Sequence, residues 1–246
     1  MLDGKVAFIT GSGAGIGRAE AVLFAERGAD VIVHDVKADT ANETAALVRA
    51  AGRRAHVIVA DNADVTRMKA EIAGAAAALG PIDILVNNAG ISGHYLPLEE
   101  IDEAIYERMF AVTVKGAFFC AQAVLPGMKV RGGGKIVNTS SDLAMTGSRV
   151  MSHYTASKAA MMGLTRAWAK ELAPFKINVN CLVPGVTDTG MPSEEVKARY
   201  AGVAPLGRIA APREIAYACA FLASAEADFI TGQVLSPSGG GAIVGM

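Results

Sequence analysis

The sequence predicts one α/β domain built on a mainly parallel, doubly wound sheet of seven strands. Three observations lead there. Short β-rich apolar runs alternate with helical patterns along the whole chain, several strand ends carry Gly, Asn, Asp or Ser, and no linker, repeat or low-complexity stretch divides the 246 residues. Alternation at this spacing favours parallel strands joined by helical crossovers. A chain of this length that is 52% hydrophobic can bury the core such a sheet needs.

Charge and cysteine content narrow the function classes. Lys plus Arg number 23 and Asp plus Glu 24, and the net charge of -1 gives no long-range pull toward nucleic acid or an anionic membrane. Cys120, Cys181 and Cys219 are far apart in apolar surroundings, which reads as buried thiols in a reducing compartment. No Cys/His cluster has metal-ligand spacing, so no metal is expected. The apolar run after Asp3-Gly4-Lys5 is too short for a signal segment or a membrane span. A soluble cytoplasmic protein is the expectation.

The first strand, Val6 to Thr10, runs into Gly11, Ser12, Gly13, Ala14, Gly15, Ile16 and Gly17, and a helix follows over Ala19 to Arg27. Strand, glycine loop, helix is the context in which backbone N–H groups and a helix N-terminus receive a pyrophosphate. Gly11, Gly15 and Ile16 are therefore candidate cofactor residues. Val31 to Val33 forms the second strand and ends at His34 and Asp35, the latter 18 residues after Gly17. A carboxylate there accepts both ribose hydroxyls of an adenosine and repels a 2′-phosphate. Neither Ala14 nor Val36 offers a cation for that phosphate, so NAD is expected over NADP. His34 reads as a packing or surface residue. A helix from about Asp39 to Ala51, capped by Asp39 or Thr40, stops at Gly52. The third strand, Val57 to Ala60, ends at Asp61 and Asn62, placed to reach the adenine edge. Val65 to Leu79 is helical up to Gly80-Pro81.

Ile82 to Val86 is the fourth strand, followed by Asn87, Asn88, Ala89 and Gly90, where amides and a glycine suit a bend beside a cofactor. His94 and Tyr95 follow in a loop that borders a substrate cleft. Pro97 to Met128 reads mostly helical, and its apolar part, Phe110 to Leu125, suggests a buried or subunit-facing surface. Lys135 to Thr139 is the fifth strand, ending at Ser140 and Ser141. Tyr154 and Lys158 then stand four residues apart on a helix that Ser152 caps and Leu172 ends, so both lie on one face. An ammonium beside a phenol favours phenolate and lowers its pKa. Ser141, 13 residues earlier, can fold back over that helix. Ile177 to Val183 is the sixth strand. Pro184-Gly185 and Val186 to Gly190, including Thr187 and Thr189, lead into a weakly patterned stretch, about 190–208, that reads as a substrate loop. Pro212 to Ala223 is helical, Val234-Leu235 is the last strand, and the apolar tail Gly239 to Met246 is either frayed or tucked into a subunit contact. His94, Leu143, Met145, Val186 and Met191 are expected as apolar pocket walls, with Lys197, Arg199 or Arg208 available to an anionic substrate.

Assembled in order, these motifs resemble the short-chain dehydrogenase/reductase family, in its single-domain branch, over Lys5 to about Gly240. Thr10-Gly11-x-x-x-Gly15-Ile16-Gly17 is similar to its nucleotide loop, and Asn87-Asn88-Ala89-Gly90 to its structural and cofactor motif. Ser141 with Tyr154-x-x-x-Lys158 is similar to its catalytic set, and Pro184-Gly185 with Thr189 to the segment that holds the nicotinamide carboxamide. The resemblance implies a three-layer Rossmann fold and a homotetramer or homodimer. It also implies hydride transfer between NAD(H) and a small-molecule secondary alcohol or ketone. In that scheme Tyr154 is the general acid/base, Lys158 lowers its pKa and holds the nicotinamide ribose, and Ser141 bonds the substrate oxygen. Two positions depart from the pattern. Thr113 stands in Val112-Thr113-Val114-Lys115-Gly116 where the family has an Asn that supports a proton relay, and Ser236-Pro237-Ser238-Gly239-Gly240 lacks the Asp usual before the paired glycines. The other readings are an NADPH-dependent ketoreductase, opposed by Asp35, and a non-catalytic nucleotide-binding protein, opposed by Ser141, Tyr154 and Lys158.

Overall fold

The computed structural model describes residues 1–91, 95–190, 202 and 204–243. Within them a seven-stranded sheet consists of β1 (Val6–Ile9), β2 (Asp30–Asp35), β3 (Ala55–Val59), β4 (Ile84–Asn87), β5 (Gly134–Thr139), β6 (Ile177–Leu182) and β7 (Val234–Leu235). The order is β3-β2-β1-β4-β5-β6-β7, and every pairing is parallel. Chain direction across the sheet reverses between β1 and β4. Their carboxyl ends therefore flank a topological switch point, where the loops diverge and leave a crevice.

Helices cover both faces. The helices α1 (Gly15–Glu26) and α2 (Ala38–Ala50) lie on one side with a late helix, Pro212–Leu222; α3 (Val65–Leu79) lies on the other. The fourth crossover holds α4 (Glu103–Phe110) and α5 (Gly116–Arg131), and after β5 come the short α6 (Leu143–Thr146) and the long α7 (Ser152–Leu172). The Pro212–Leu222 helix is α8. Alternation along the strands divides the core. Ile9, Val31 and Val33 pack with Phe24 of α1, Ala45 of α2 and Ile215 of α8. Phe8, Ile32 and Leu85 pack with Ile72 of α3, Val124 of α5 and Trp168 of α7. Both faces of β1 are buried, as an inner parallel strand requires. The three cysteines are free and buried.

The structure redraws some sequence-predicted elements. The stretch after Pro97 is a 3-10 turn, Leu98–Glu100, then α4 capped by Asp102, whose carboxylate accepts from Ile105 N at 2.7 Å. A single π-helical turn, Ala111–Lys115, then joins α4 to α5. The run Glu103–Arg131 is long and apolar enough to cross a membrane by composition, yet Cys120, Ala121, Val124 and Met128 are in the core against the sheet. The expected caps of two helices are corrected. Lys37 holds the N-cap position of α2 without a side-chain bond, and Thr40 Oγ1 donates to Lys37 O instead. Met151, at φ +68°, holds that position for α7, which makes Ser152 its first helical residue. The described part of the tail is tucked in: Leu206 N donates to Gly239 O at 3.1 Å and Ala242 N to Ser238 Oγ at 3.1 Å.

Candidate active site

The glycine loop leaves β1 with Gly11 at φ +63°, and a Cβ there would lie 2.8 Å from Ala89 Cα. At Gly17 a Cβ would meet Gly11 O at 2.4 Å and Asn88 Nδ2 at 2.5 Å. Only glycines let loop, helix and the β4 end approach this closely. Asn88 Nδ2 donates to the carbonyls of Thr10 (3.0 Å) and Gly11 (3.1 Å), while Thr10 Oγ1 accepts from Asn88 N and Ala89 N. The start of α1 has no side-chain cap, since Ala14 is extended and offers no acceptor. Its first N–H groups are therefore available to an anion.

A cleft of about 400 Å³ opens over this loop at the switch point. Gly11, Gly15, Ile16 and Asp35 line its nucleotide end, and Asn88 and Gly90 its middle. Ser141, Tyr154 and Lys158 form the far wall, and Pro184, Gly185, Thr187 and Thr189 close one side. Thr189 reaches α1: a Cβ on Gly15 would lie 3.2 Å from its side chain. Asp61 and Asn62 do not line this cleft. Asp61 pairs with Arg108 at 2.7 Å and accepts from Ala63 N at 2.9 Å. Asn62 is buried, donates to Val112 O at 2.8 Å and accepts from Cys120 Sγ at 3.7 Å, bracing β3 against the π turn. Gly116 admits this brace, because a Cβ there would fall 2.2 Å from Asn62 Nδ2.

At the far wall, the end of β5 is pinned to α7 by Ser140 Oγ donating to Lys158 O at 2.7 Å. Lys158 Nζ is buried, donates to Thr139 O at 3.0 Å and lies 5.9 Å from the Tyr154 ring centre. Ser141 Oγ donates to Asp142 Oδ1 at 3.1 Å and accepts from Leu143 N at 3.2 Å. The expected lowering of the Tyr154 pKa is corrected for this state. Burial raises it, the neighbouring Ser141 hydroxyl opposes the rise, and Asp142 and Tyr95 add to it. Burial also pushes Lys158 down to about 8, which blunts the cation the phenol would feel. Asp142 was not among the expected site residues, although an acid directly after a strand-end Ser was visible in the sequence. Its own pKa is raised by burial. Thr113 sits buried in the π turn, its Oγ1 donating to Met109 Sδ at 3.8 Å. A Cβ on Gly90 would lie 3.2 Å from Lys158 Nζ and 3.7 Å from Thr113 Oγ1, so both groups border the bare side of that glycine.

Leu143 and Met145 on α6, and Val186, are partly buried but do not line this cleft; Val186 borders a separate hollow with Leu206, Arg208 and Pro237. His94, Met191, Lys197 and Arg199, with most of the expected 190–208 loop, lie outside the described residues. Arg208 is engaged, paired with Glu214 through bonds of 2.7 and 2.6 Å.

An uncapped helix start, a strand-end carboxylate and a phenol, hydroxyl and ammonium facing one crevice are parts for holding a dinucleotide and moving a proton. That is the equipment of a dinucleotide-dependent oxidoreductase. Known proteins agree. The sequence model described as short chain dehydrogenase matches residues 5–199, and the chain belongs to that family. It is 42% identical over 240 residues to cis-4-hydroxycyclohexanecarboxylate dehydrogenase of Sinomonas cyclohexanicum, a match that covers 96% of each chain. To cyclohexanol dehydrogenase of Acinetobacter sp. strain SE19 it is 35% identical, over 94% of this chain and 92% of that one. Among solved structures, carveol dehydrogenase of Mycobacterium avium in complex with NAD superposes with a TM-score of 0.94 at 30% identity, over 98% of both chains.

Proposed function

We propose that the protein interconverts a secondary alcohol on a saturated ring and the corresponding ketone, using NAD(H). The observation that carries this reading is the convergence of Ser141, Tyr154 and Lys158 on the cleft whose opposite end holds Asp35 and the open start of α1. The residues present suit the dinucleotide. Backbone N–H groups at Gly15 and Ile16 meet a pyrophosphate, and Asp35 accepts ribose hydroxyls and disfavours a 2′-phosphate. Bound there, the oxidised nicotinamide supplies the acceptor for the hydride leaving the carbinol carbon. Tyr154, as phenolate, takes the hydroxyl proton of the alcohol, and as phenol returns it to a ketone oxygen. Ser141 bonds that oxygen, and Lys158, charged, favours the phenolate. The ring-alcohol assignment draws on the two relatives named for cyclohexane substrates.

The test is NADH formation, followed by absorbance, from cyclohexanol, cis-4-hydroxycyclohexanecarboxylate and carveol. Tyr154→Phe is expected to lower turnover at least about a hundredfold while NAD⁺ binding persists. Full activity in that variant excludes the mechanism. Because burial raises the Tyr154 pKa, oxidation should accelerate as pH rises and reduction should slow.

A further inference from the structure

His34 lies on β2 directly before Asp35 and is buried, its ring edge-on to Phe8 with centroids 6.2 Å apart. Both ring nitrogens are in use. Gly11 N donates to Nδ1 at 3.2 Å, and Nε2 lies 3.1 Å from the carbonyl oxygen of Ala60. A backbone N–H can only donate and a carbonyl oxygen can only accept. Nδ1 must therefore be bare and Nε2 must carry the proton, so only the neutral Nε2–H tautomer satisfies both contacts. The backbone repeats the tie: Ser12 N donates to His34 O at 2.7 Å, and His34 N to Ser12 Oγ at 3.0 Å.

We propose that His34 is a positioning residue for dinucleotide binding, its neutral ring latching Gly11 N–H and holding the glycine loop in the form that receives a pyrophosphate. The proposal rests on the dinucleotide reading of the cleft. Gly11 is the residue on which the loop pivots, at φ +63° and against Ala89. Its carbonyl is held from β4 by Asn88 and its N–H from β2 by His34. An apolar side chain at position 34 fills the space but leaves that N–H without its partner. A protonated ring is worse, because it sets an Nδ1–H against the Gly11 N–H and repels it.

The surroundings decide when that happens. From β1 the ring meets Phe8, which carries no charge. Beyond the end of β3 stands Asp61, already paired with Arg108, and on its own strand Asp35. Burial is the largest influence and holds His34 below the ordinary histidine value, outweighing the Ala60 carbonyl and the two carboxylates, which favour the charged ring. The latch is therefore closed at neutral pH and opens on the acid side.

The experiment measures NAD⁺ dissociation constants by calorimetry from pH 8 to pH 5 for the native protein, His34→Asn and His34→Leu. An asparagine oxygen can take the place of Nδ1 without titrating. The native constant should be flat near neutrality and rise about three- to tenfold toward pH 5, the worth of one hydrogen bond expressed as lost competent loop. His34→Asn should match it at pH 7 and lose the acid rise, and His34→Leu should be weaker by a similar factor at every pH. Every other group is common to the native and Asn proteins, so the difference between their profiles isolates the ring. Identical acid profiles in native and Asn proteins, or native-like binding by the Leu variant, would overturn the proposal. Nitrogen-15 spectra of histidine-labelled protein read the tautomer directly, with His34→Asn assigning the signal among the four histidines. A neutral Nε2–H ring supports the latch, and an Nδ1–H ring removes it whatever the variants do. If the native protein binds no NAD⁺ while the spectra show the Nε2–H ring, the dinucleotide reading fails and the binding role of the latch fails with it.

Discussion

The Asp35 carboxylate is fixed before any ligand arrives. Gly13 N donates to Oδ2 and Lys37 N to Oδ1, both at 3.1 Å, so the side chain cannot turn from the nucleotide end of the cleft. A fixed negative charge is what discriminates a hydroxyl from a phosphate. The native protein should bind NADH much more tightly than NADPH, and Asp35→Ala should weaken NADH by about tenfold or more, the cost of a bond to a charged acceptor. Dissociation constants for both nucleotides, with both proteins, check this, and equal native affinities would remove the argument. Asp35, Ser141, Tyr154 and Lys158 could be placed from sequence because each is set by a local context: a strand end, or two positions on one helix. Asn62 could not. Its side chain is directed by Val112 O and Cys120, 50 and 58 residues away, and nothing local to β3 encodes that. The raised Tyr154 pKa was hidden for the same reason, since burial and Asp142 come from the assembled wall and not from the Tyr-x-x-x-Lys spacing.

At the scale of elements, hydrophobic period carried the reading furthest where a glycine or proline stops the helix. Val65 to Leu79 ends at Gly80-Pro81 and α7 ends at Leu172, both as expected. It failed where geometry departs from 3.6 residues per turn. The π turn at Ala111–Lys115 looks like ordinary helix in sequence, yet it shifts α5 relative to α4 and buries Thr113 between them. The contact of α1 with α8 holds a second feature that period cannot show. Glu20 falls on the inward face of α1 and is fully buried, and among the described residues neither of its carboxyl oxygens has a hydrogen-bond partner. Burial raises its pKa from an ordinary 4.5 to about 8, so the folded protein keeps it protonated at neutral pH. The folded state thus binds a proton that the unfolded state releases above about pH 4.5. This contribution to stability is complete below that value and is lost as pH rises toward about 8, at up to ~1.4 kcal/mol per pH unit. Glu20→Gln, which cannot ionise, should remove this slope and become the more stable protein at pH 8. Denaturant unfolding of both proteins at pH 5.5, 7 and 8 measures it, and parallel pH dependence would show that Glu20 ionises in place.

For the whole molecule, sheet order explains why residues from Gly11 to Thr189 share one cleft. Reversal between β1 and β4 brings the glycine loop, the Asn88 bend, the end of β5 and the segment after β6 to the same edge. The alternation of strands and helices was enough to foresee the doubly wound parallel sheet, though not the order of its strands. What the chain does with its outer faces follows from surface chemistry. The run Glu103–Arg131 contains a long apolar window, of which this molecule buries 44%. Phe118 on α5 is 41% exposed and meets the buried Trp168 of α7 edge-on at 5.7 Å, so the α5/α7 face presents an exposed aromatic ring over a core tryptophan. Leaving such a ring in water forgoes roughly 1.5–3 kcal/mol for each large apolar side chain that a second copy could cover. A symmetric pairing counts every such residue twice. We therefore expect a homodimer or homotetramer packed through α5 and α7. Light scattering at micromolar concentration should give a mass two or four times 25.3 kDa. Phe118→Glu sets a charge in each half of the interface and should lower that mass toward the monomer, with secondary structure by circular dichroism unchanged. A native mass of one chain would exclude the assembly, and an unchanged mass in the variant would move the interface away from α5.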